Sequence, residues 1–221
     1  GWSVDETDDG GYIATGYSQS QGNGRKDLWL IRTDDTGDLL WERSYGGTED
    51  DVGLSVIQSR EGGFIVAGRT ASQGNRGDDI WLLKTDALGN IAWNATYGGD
   101  RDDTAFQVVE LADGYALVGR SESGLEEERI ILIRVDLRGR KNWERSYLGS
   151  SGTSLQQTID GGFVIGGRID KDESGRDGLI IKTNSAGQEE WRSVLGGMKD
   201  DIGSFVIQNR EGDYILAGIT A

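Results

Sequence analysis

One tryptophan recurs along the chain at a nearly constant spacing, and this repeat constrains the fold more than any other feature. It stands in four similar motifs, LLWERSYGG, IAWNATYGG, KNWERSYLG and EEWRSVLGG, at Trp41, Trp93, Trp143 and Trp191. The intervals are 52, 50 and 48 residues. Self-similarity with a long fixed period indicates equivalent structural units that pack against their neighbours.

The copies divide the chain into repeats. The segment from Asp50 to Thr70 matches the segment from Asp200 to Thr220 almost residue by residue, and weaker copies lie between them. We therefore expect a single domain of four full repeats and a partial fifth. The predicted ranges are 1–47, 48–99, 100–149, 150–197 and 198–221.

Each full repeat contains four short strand patterns separated by turn residues. In the second repeat the predicted strands a to d cover residues 54–58, 64–70, 79–85 and 91–97. Strand b is apolar on both sides, since Phe64 and Val66 alternate with Ile65 and Ala67. A sheet with one wet face would alternate apolar with polar residues. The pattern predicts an all-β fold, a β-propeller of four-stranded antiparallel blades.

The last repeat contains only strands a and b. The chain is then a five-bladed ring with a two-stranded last blade, a fragment of a longer ring, or four blades and an extra hairpin. An incomplete blade leaves an unpaired strand edge, and such edges pair with other chains. The sequence therefore allows a homo-oligomer formed through the incomplete blade.

Composition excludes several kinds of chemistry. The chain has no cysteine and no histidine, so it lacks thiol nucleophiles, thiolate ligands and the usual general base at neutral pH. A net charge of −15 repels phosphate backbones, and we expect no nucleic-acid partner. No apolar run approaches the length of about 20 residues that a spanning helix needs, so membrane insertion is not expected. The start at Gly1, without a signal peptide, predicts a mature or trimmed product.

A segment of the second repeat resembles a known family. The sequence YGGTEDDVGLSVIQSREGGFIVAGRTAS, from Tyr45 to Ser72, is similar to the β-propeller repeats of bacterial and archaeal cell-surface and secreted proteins. The chain departs from that pattern at residues 150–152 and in the glutamate-rich loop 126–128. The resemblance implies an extracellular or cell-surface propeller, usually part of a larger protein, with no assigned catalytic role and no site residues to transfer.

The tryptophan motifs also resemble the docking repeat of pyrroloquinoline-quinone-type propellers, in which an aspartate, a glycine and a tryptophan close each blade. Here Asp86, Gly89 and Trp93 follow that order, as do their counterparts in the other repeats. The resemblance implies a structural role for the four tryptophans. The adjacent-cysteine feature of the quinone enzymes is impossible here, so we expect no quinone and no other organic cofactor.

Acidic residues gather in the predicted loops of one face. Pairs stand in the d–a loops, and single aspartates stand where the b–c loops end. These candidate ligand-binding residues are Asp50, Asp51, Asp102, Asp103, Asp200, Asp201, Asp27, Asp79 and Asp177. Carboxylates on loops suit calcium, with Asp51, Asp103 and Asp201 as candidate ligands. In the alternative interpretation, one aspartate of each pair accepts backbone N–H groups and the other faces water.

Two further features are candidates. Arginines end strand b in three repeats, at Arg69, Arg120 and Arg168, and could hold a carboxylate ligand as sialidases do, or form salt bridges with neighbouring aspartates. The triplet at Asn94 is a glycosylation sequon on an outer strand.

Three functions remain open. The leading prediction is a non-catalytic extracellular or cell-surface module that binds or scaffolds a protein or a glycan. The second is a glycoside hydrolase that uses two carboxylates, for which the loop 126–128 and the segment 170–173 break the repeat symmetry. The third is a structural subunit of a surface assembly, joined through the open blade edge.

Overall fold

A computed structural model describes residues 1–123, 128–171 and 175–220. Within these residues the fold is all-β, and the strands form five antiparallel sheets in chain order. Sheet 1 contains β1 (Ser3–Glu6), β2 (Tyr12–Ser18), β3 (Asp27–Thr33) and β4 (Leu39–Tyr45). Sheet 2 contains β5 (Asp51–Gln58), β6 (Phe64–Thr70), β7 (Asp79–Thr85) and β8 (Ile91–Tyr97). Sheet 3 contains β9 (Asp103–Leu111), β10 (Gly114–Ser121), β11 (Arg129–Asp136) and β12 (Lys141–Leu148).

The remaining strands form two more sheets. Sheet 4 contains β13 (Ser151–Gln157), β14 (Phe163–Lys171), β15 (Gly175–Thr183) and β16 (Glu189–Leu195). Sheet 5 contains β17 (Asp201–Gln208) and β18 (Tyr214–Thr220). No helix in the described part of the chain is long and apolar enough to cross a membrane.

The predicted strands of the second repeat agree closely with sheet 2. Strands b, c and d have the predicted bounds, whereas strand a begins at Asp51 instead of residue 54, because its backbone continues to pair with β6 as far as Thr70. A β-bulge between Gly53 and Ser55 separates the two parts of this strand. The bulge brings the Val52 carbonyl so close to Gly68 that a Cβ atom there would collide with it.

The hydrophobic core lies between successive sheets. Ile65 and Ala67 pack in a cluster with residues of sheet 3, while Phe64 and Val66 pack in another with residues of sheet 1. A third cluster joins sheets 3 and 4. The prediction of sheets covered on both faces is confirmed for the middle of the chain. We call the side of each sheet toward the preceding sheet its back face, and the other side its front face.

The outer strand of each full sheet contacts the next sheet through its tryptophan. The Trp41 ring lies 5.8 Å from the Phe64 ring, between ring centroids. The corresponding pairs in the later sheets are Trp93–Tyr115 at 6.3 Å, Trp143–Phe163 at 6.1 Å and Trp191–Tyr214 at 5.1 Å. Such aromatic pairs add specific geometry to the burial of apolar area.

The two end sheets each have one uncovered face. On the back face of sheet 1, Val4 is 65% exposed, whereas its counterpart Val56 in sheet 2 is 2% exposed. On the front face of sheet 5, Ile215 is 50% exposed, whereas its counterpart Ile65 is 0% exposed. Sheets 1 and 5 therefore do not cover each other, and the described sheets form an open arc.

Candidate functional site

The first aspartate of each acidic pair fastens the loop of the preceding sheet. Asp102 accepts the backbone N–H of Asp78 at 3.0 Å. Asp200 accepts that of Arg176, also at 3.0 Å. Asp50 instead forms a 2.8 Å ion pair with Lys26, and this hydrogen bond is the largest cause that lowers the Asp50 pKa. These three carboxylates hold adjacent sheets together at the loop face.

The second aspartate of each pair is held by donors of its own loops. Asp51 accepts the Gly47 N–H at 2.8 Å and the Ser72 hydroxyl at 2.6 Å, and its other oxygen accepts the Thr70 hydroxyl. Asp103 likewise accepts Gly99 N–H at 3.0 Å and the Ser123 hydroxyl at 2.7 Å, and Asp201 accepts Gly197 N–H at 2.9 Å. These contacts match the part of the alternative interpretation in which one aspartate of each pair accepts loop N–H groups. The other aspartate, expected only to face water, bonds to the preceding sheet instead.

Aspartates at the start of the third strand lie beside these pairs. A methyl group on Gly98 would collide with both Asp79 and Asp103, so the glycine is the only residue that fits between the two carboxylates. Burial raises the Asp79 pKa, and the Asp103 charge raises it further, against the Asn75 N–H bond that lowers it. Gly46 is enclosed in the same way by Asp27 and Asp51.

The residues proposed for calcium do not form a suitable ligand set. In residues 1–123, 128–171 and 175–220, no group of three or more acidic side chains is arranged to hold a metal ion. Both carboxylate oxygens of Asp51 already accept hydrogen bonds from N–H or O–H donors. Calcium needs six to eight oxygen ligands, and at Asp51 hydrogen-bond donors already use both carboxylate oxygens. The hydrogen bonds of Asp51 fit a structural role, and calcium binding by Asp51, Asp103 and Asp201 stays a prediction.

The three arginines pair with acidic neighbours. Arg69 bonds to Asp78. Arg120 lies 3.7 Å from Glu122 and 3.6 Å from Glu128. Arg168 lies 3.6 Å from Asp170. All three side chains nevertheless remain about 30% exposed, so each can also reach a ligand.

Two of these arginines line a hollow that spans sheets 1 to 3. Its volume is about 390 Å³. The basic side chains are Lys26, Arg69 and Arg120, and Arg168 is not part of it. The rest of the lining is aromatic, aliphatic or neutral, namely Trp2, Tyr17, Val52, Leu54, Thr104 and Phe106. The hollow therefore places three basic side chains, each paired with an acidic neighbour outside the lining, beside aromatic surface.

The sequence did not single out most of this hollow. Trp2, Tyr17 and Phe106 were missed because none of them recurs through the repeats. A comparison of each repeat with the others would have found Phe106, which stands where sheet 2 has Leu54 and sheet 5 has Ser204. A signal for the site thus existed in the departures from the repeat.

The remaining predicted residues lie elsewhere. Glu126 and Glu127 lie outside the described residues, as do residues 172 and 173, while Glu128 and Asp170 are paired with Arg120 and Arg168. Asn94 is exposed on β8, and its side-chain oxygen lies 3.5 Å from the Trp81 indole nitrogen. Its glycosylation stays a prediction.

Known structures share the arrangement of the sheets. The WD40 propeller domain of Doa1 superposes with a TM-score of 0.58 and 16% identity over 97% of this chain and 59% of that one. A neuraminidase-like protein of A/flat-faced bat/Peru gives 0.52 and 10% identity over 88% of this chain and 51% of that one. The domain is a β-propeller. At these identities the likeness concerns the fold alone. Sheets 1 to 4 are four-stranded blades, and sheet 5 is a two-stranded part of a blade.

The sequence comparisons are more limited. No protein-family profile matches the chain. The regulatory protein FlaEY of Caulobacter vibrioides is 33% identical over 116 residues, which is 46% of this chain. The matched part is 12% of that relative's length, and this propeller spans only a little over half of the solved propellers named above.

Proposed function

We propose that this propeller is a non-catalytic binding module that holds an acidic glycan in the hollow across sheets 1 to 3, outside the cell or at its surface. The observation that carries the proposal is the convergence of Lys26, Arg69 and Arg120 beside three aromatic side chains. The resemblance to surface propeller repeats supports the location. A ligand site that breaks the repeat symmetry also agrees with a specific binding function.

The chemistry of the hollow suits a saccharide that carries carboxylates. A guanidinium group binds a carboxylate through two parallel N–H donors. Arg69 and Arg120 each contribute one guanidinium group to the hollow. Lys26 lies 5.5 Å from the centre of the Tyr17 ring, a cation–π distance that holds the ammonium group at the wall. The exposed Trp2 ring and the partly buried Phe106 ring can cover the apolar faces of sugar rings.

The negative charge of the whole chain does not prevent this binding. Charges farther away than about 8 Å are largely screened at physiological ionic strength. The ligand would therefore respond mainly to nearby charges, and its carboxylates would have to replace the acidic partners of Arg69 and Arg120. The net charge of −15 would slow its approach.

The experiment is a titration with oligogalacturonate, with the uncharged methyl ester of the same oligosaccharide as the ligand control. We expect Arg69→Gln/Arg120→Gln to weaken binding of the acid at least tenfold, since hydrogen bonds to charged groups contribute about 1.5–3 kcal/mol each. Arg168→Gln is the matched protein control, because it removes the arginine at the same repeat position outside the hollow. Equal losses in the two variants would contradict the proposal.

The glycoside-hydrolase alternative has less support. Retaining and inverting enzymes need two carboxylates about 5–10 Å apart at the scissile bond, and the described lining of the hollow contains no acidic side chain. We expect no reducing ends after long incubation with the same oligosaccharide. Release that a Glu128→Gln variant abolished would establish the enzyme instead.

A second candidate function, the subunit of a surface assembly, is favoured by the front face of sheet 5. Four large apolar side chains are exposed there, at Phe205, Ile207, Ile215 and Ile219. Sheet 2 carries Ser55 and Arg69 where sheet 5 carries Phe205 and Ile219. The test is sedimentation of the chain and of Phe205→Ser/Ile219→Arg, which restores the residues of sheet 2. Self-association that this variant abolishes would support the assembly, and a monomer at high concentration would exclude it.

A further inference from the structure

The turns between the third and fourth strands contain a glycine that supports a tryptophan of the preceding sheet. A Cβ atom on Gly89 would lie 3.1 Å from Cζ3 of Trp41, and one on Gly139 would lie 2.7 Å from the same atom of Trp93. Gly187 is placed in the same way under Trp143. Three successive junctions therefore bury an indole ring against a bare glycine.

The equivalent turn of sheet 1 has the same geometry but no tryptophan on it. Gly37 has a φ of +87° and donates its N–H to Asp34 at 3.2 Å, as Gly89 with a φ of +81° donates to Asp86 at 3.2 Å. No atom lies within 4 Å of a Cβ placed on Gly37, apart from its chain neighbours. The turn at Gly37 therefore has the same backbone geometry as the turns that support a tryptophan, but no side chain packs on it.

The aromatic partner of the absent tryptophan is also in place. In sheets 2 to 5 the first residue after the a–b turn is aromatic and packs on the tryptophan of the preceding sheet. Tyr12 holds this position in sheet 1 and is 43% exposed, whereas Phe64 in sheet 2 is 3% exposed. Tyr12 and Gly37 thus form the two walls of a tryptophan site.

The surrounding back face agrees with this interpretation. Trp29 and Ile31 are only partly buried, whereas their counterparts Trp81 and Leu83 in sheet 2 are fully buried in the cluster shared with sheet 1. The uncovered back face of sheet 1 therefore carries the same kinds of residue as the faces that are buried at the other junctions. Only a sheet of similar shape would cover all of these positions together.

We propose that the back face of sheet 1 binds one further four-stranded blade of this repeat, which places the tryptophan of its outer strand on Gly37 and Tyr12. The partner carries a tyrosine four residues after that tryptophan. By analogy with the bond from Tyr45 to Gly89, its hydroxyl donates to the carbonyl oxygen of Gly37.

A second copy of the chain is a poorer occupant. Its Trp41, Trp93 and Trp143 are already seated on glycines of their own chain. Its Trp191 packs on Tyr214 at 5.1 Å and would have to leave that ring. The required occupant is a blade beyond the five described sheets.

The chain itself supplies a blade that fits in register. Gly1 faces Gly16 as Gly53 faces Gly68 and as Ala105 faces Gly119. A copy of residues 53–104 inserted directly before Gly1 therefore keeps the repeat period and provides the tryptophan and tyrosine of the outer strand. The control carries the same insertion with alanine in place of its copied tryptophan.

Two measurements test the site in the original and the extended chain. The first is the rate of chemical iodination of Tyr12, measured by peptide mapping. We expect this rate to fall at least tenfold on extension and to recover in the control.

The second is the urea midpoint of Gly37→Ala and of Gly62→Ala. Both glycines have positive φ and open space at Cβ, so both variants suffer the same backbone strain. We expect equal shifts in the original chain and a larger shift for Gly37→Ala in the extended chain.

Several results would overturn the proposal. An unchanged iodination rate would show that the added blade does not cover Tyr12, and so would an added segment that stays sensitive to protease. Equal shifts for the two glycine variants in both chains would show that no ring rests on Gly37. Protection of Tyr12 that grows with concentration in the original chain would assign the face to a second copy instead.

Discussion

The phenol oxygen of Tyr45 lies 2.6 Å from the carbonyl oxygen of Gly89, to which it donates a buried hydrogen bond. Tyr97 and Tyr147 donate to Gly139 and Gly187 in the same way, at 2.6 and 2.7 Å. The glycine that accepts each bond is also the one that supports the tryptophan of the same outer strand. Each of these three junctions is therefore fastened at two neighbouring points, one polar and one apolar.

Replacing Tyr45 with Phe should lower the free energy of unfolding by about 1–2 kcal/mol, because the buried Gly89 carbonyl loses its donor. Urea denaturation at pH 7 measures this loss. Tyr12→Phe changes an exposed tyrosine and should have almost no effect. A loss of similar size in both variants would contradict the assignment.

The same tyrosine should contribute to alkaline unfolding. Burial raises the Tyr45 pKa from 10.0 to about 12, so its folded form keeps a proton that the unfolded chain has lost. The stability it provides is complete below pH 10 and is lost as the pH rises from 10 through 12. The Tyr45→Phe variant should lose less stability than the parent in that interval, as measured by urea midpoints at each pH.

Gly89→Ala should destabilise the chain more than Gly62→Ala. Both glycines have positive φ, where a side chain costs about 1–2 kcal/mol. At Gly89 the added methyl group also presses on the Trp41 ring, and overpacking adds about 1–3 kcal/mol. At Gly62 nothing lies within 4 Å. Equal midpoints in thermal or urea unfolding would show that the tryptophan does not rest on Gly89.

Asp79→Asn and Asp177→Asn should have opposite effects. Because burial and Asp103 raise the Asp79 pKa, the folded state binds a proton that the unfolded chain releases, and stability declines as the pH rises above 3.8. Asparagine removes this decline, can still accept the Asn75 N–H, and should raise the neutral-pH stability.

Asp177 provides the contrast, because it is buried and bonded to Lys171. Its replacement removes a partner from a charged pair and should lower stability. The measurement for both is the urea midpoint from pH 4 to pH 8. Destabilisation by both substitutions would mean that the carboxylate charge of Asp79 is needed.

Binding of the acidic oligosaccharide should depend on salt in two opposite ways. Added salt weakens the direct contacts to Arg69 and Arg120, but it also screens the repulsion from the net charge of −15. We expect the association rate to rise between low and physiological ionic strength, while the dissociation rate also rises. Stopped-flow measurements separate the two rates. An association rate that falls steeply with salt would contradict this picture.

The sequence predicted most of the local structure because the repeat makes the same strands and turns several times. Strands b to d of the second repeat were predicted to the residue, since their alternation and the turns around Gly62 and Gly89 are local signals. The early start of β5 was missed because its first residues pair with β6 only beyond a bulge. Nothing in the order of residues marks that bulge except Gly53.

The candidate site was predicted less well. Arg69 and Arg120 were found because they recur, but recurrence also selected Arg168, which lies outside the hollow. Trp2 and Tyr17 come from the first repeat and Phe106 from the third, and their proximity depends on how the sheets pack. A repeat pattern specifies the scaffold, whereas the site depends on the positions where the copies differ.

The distribution of the core between neighbouring sheets also determines how the molecule should open. Sheet 3 is packed against a neighbouring sheet on both faces, whereas sheets 1 and 5 are packed on one face only. Backbone amides should therefore exchange with deuterium fastest in sheets 1 and 5 and slowest in sheet 3. Fraying would begin at β17 and β18, because this two-stranded sheet packs against a neighbour on one face only.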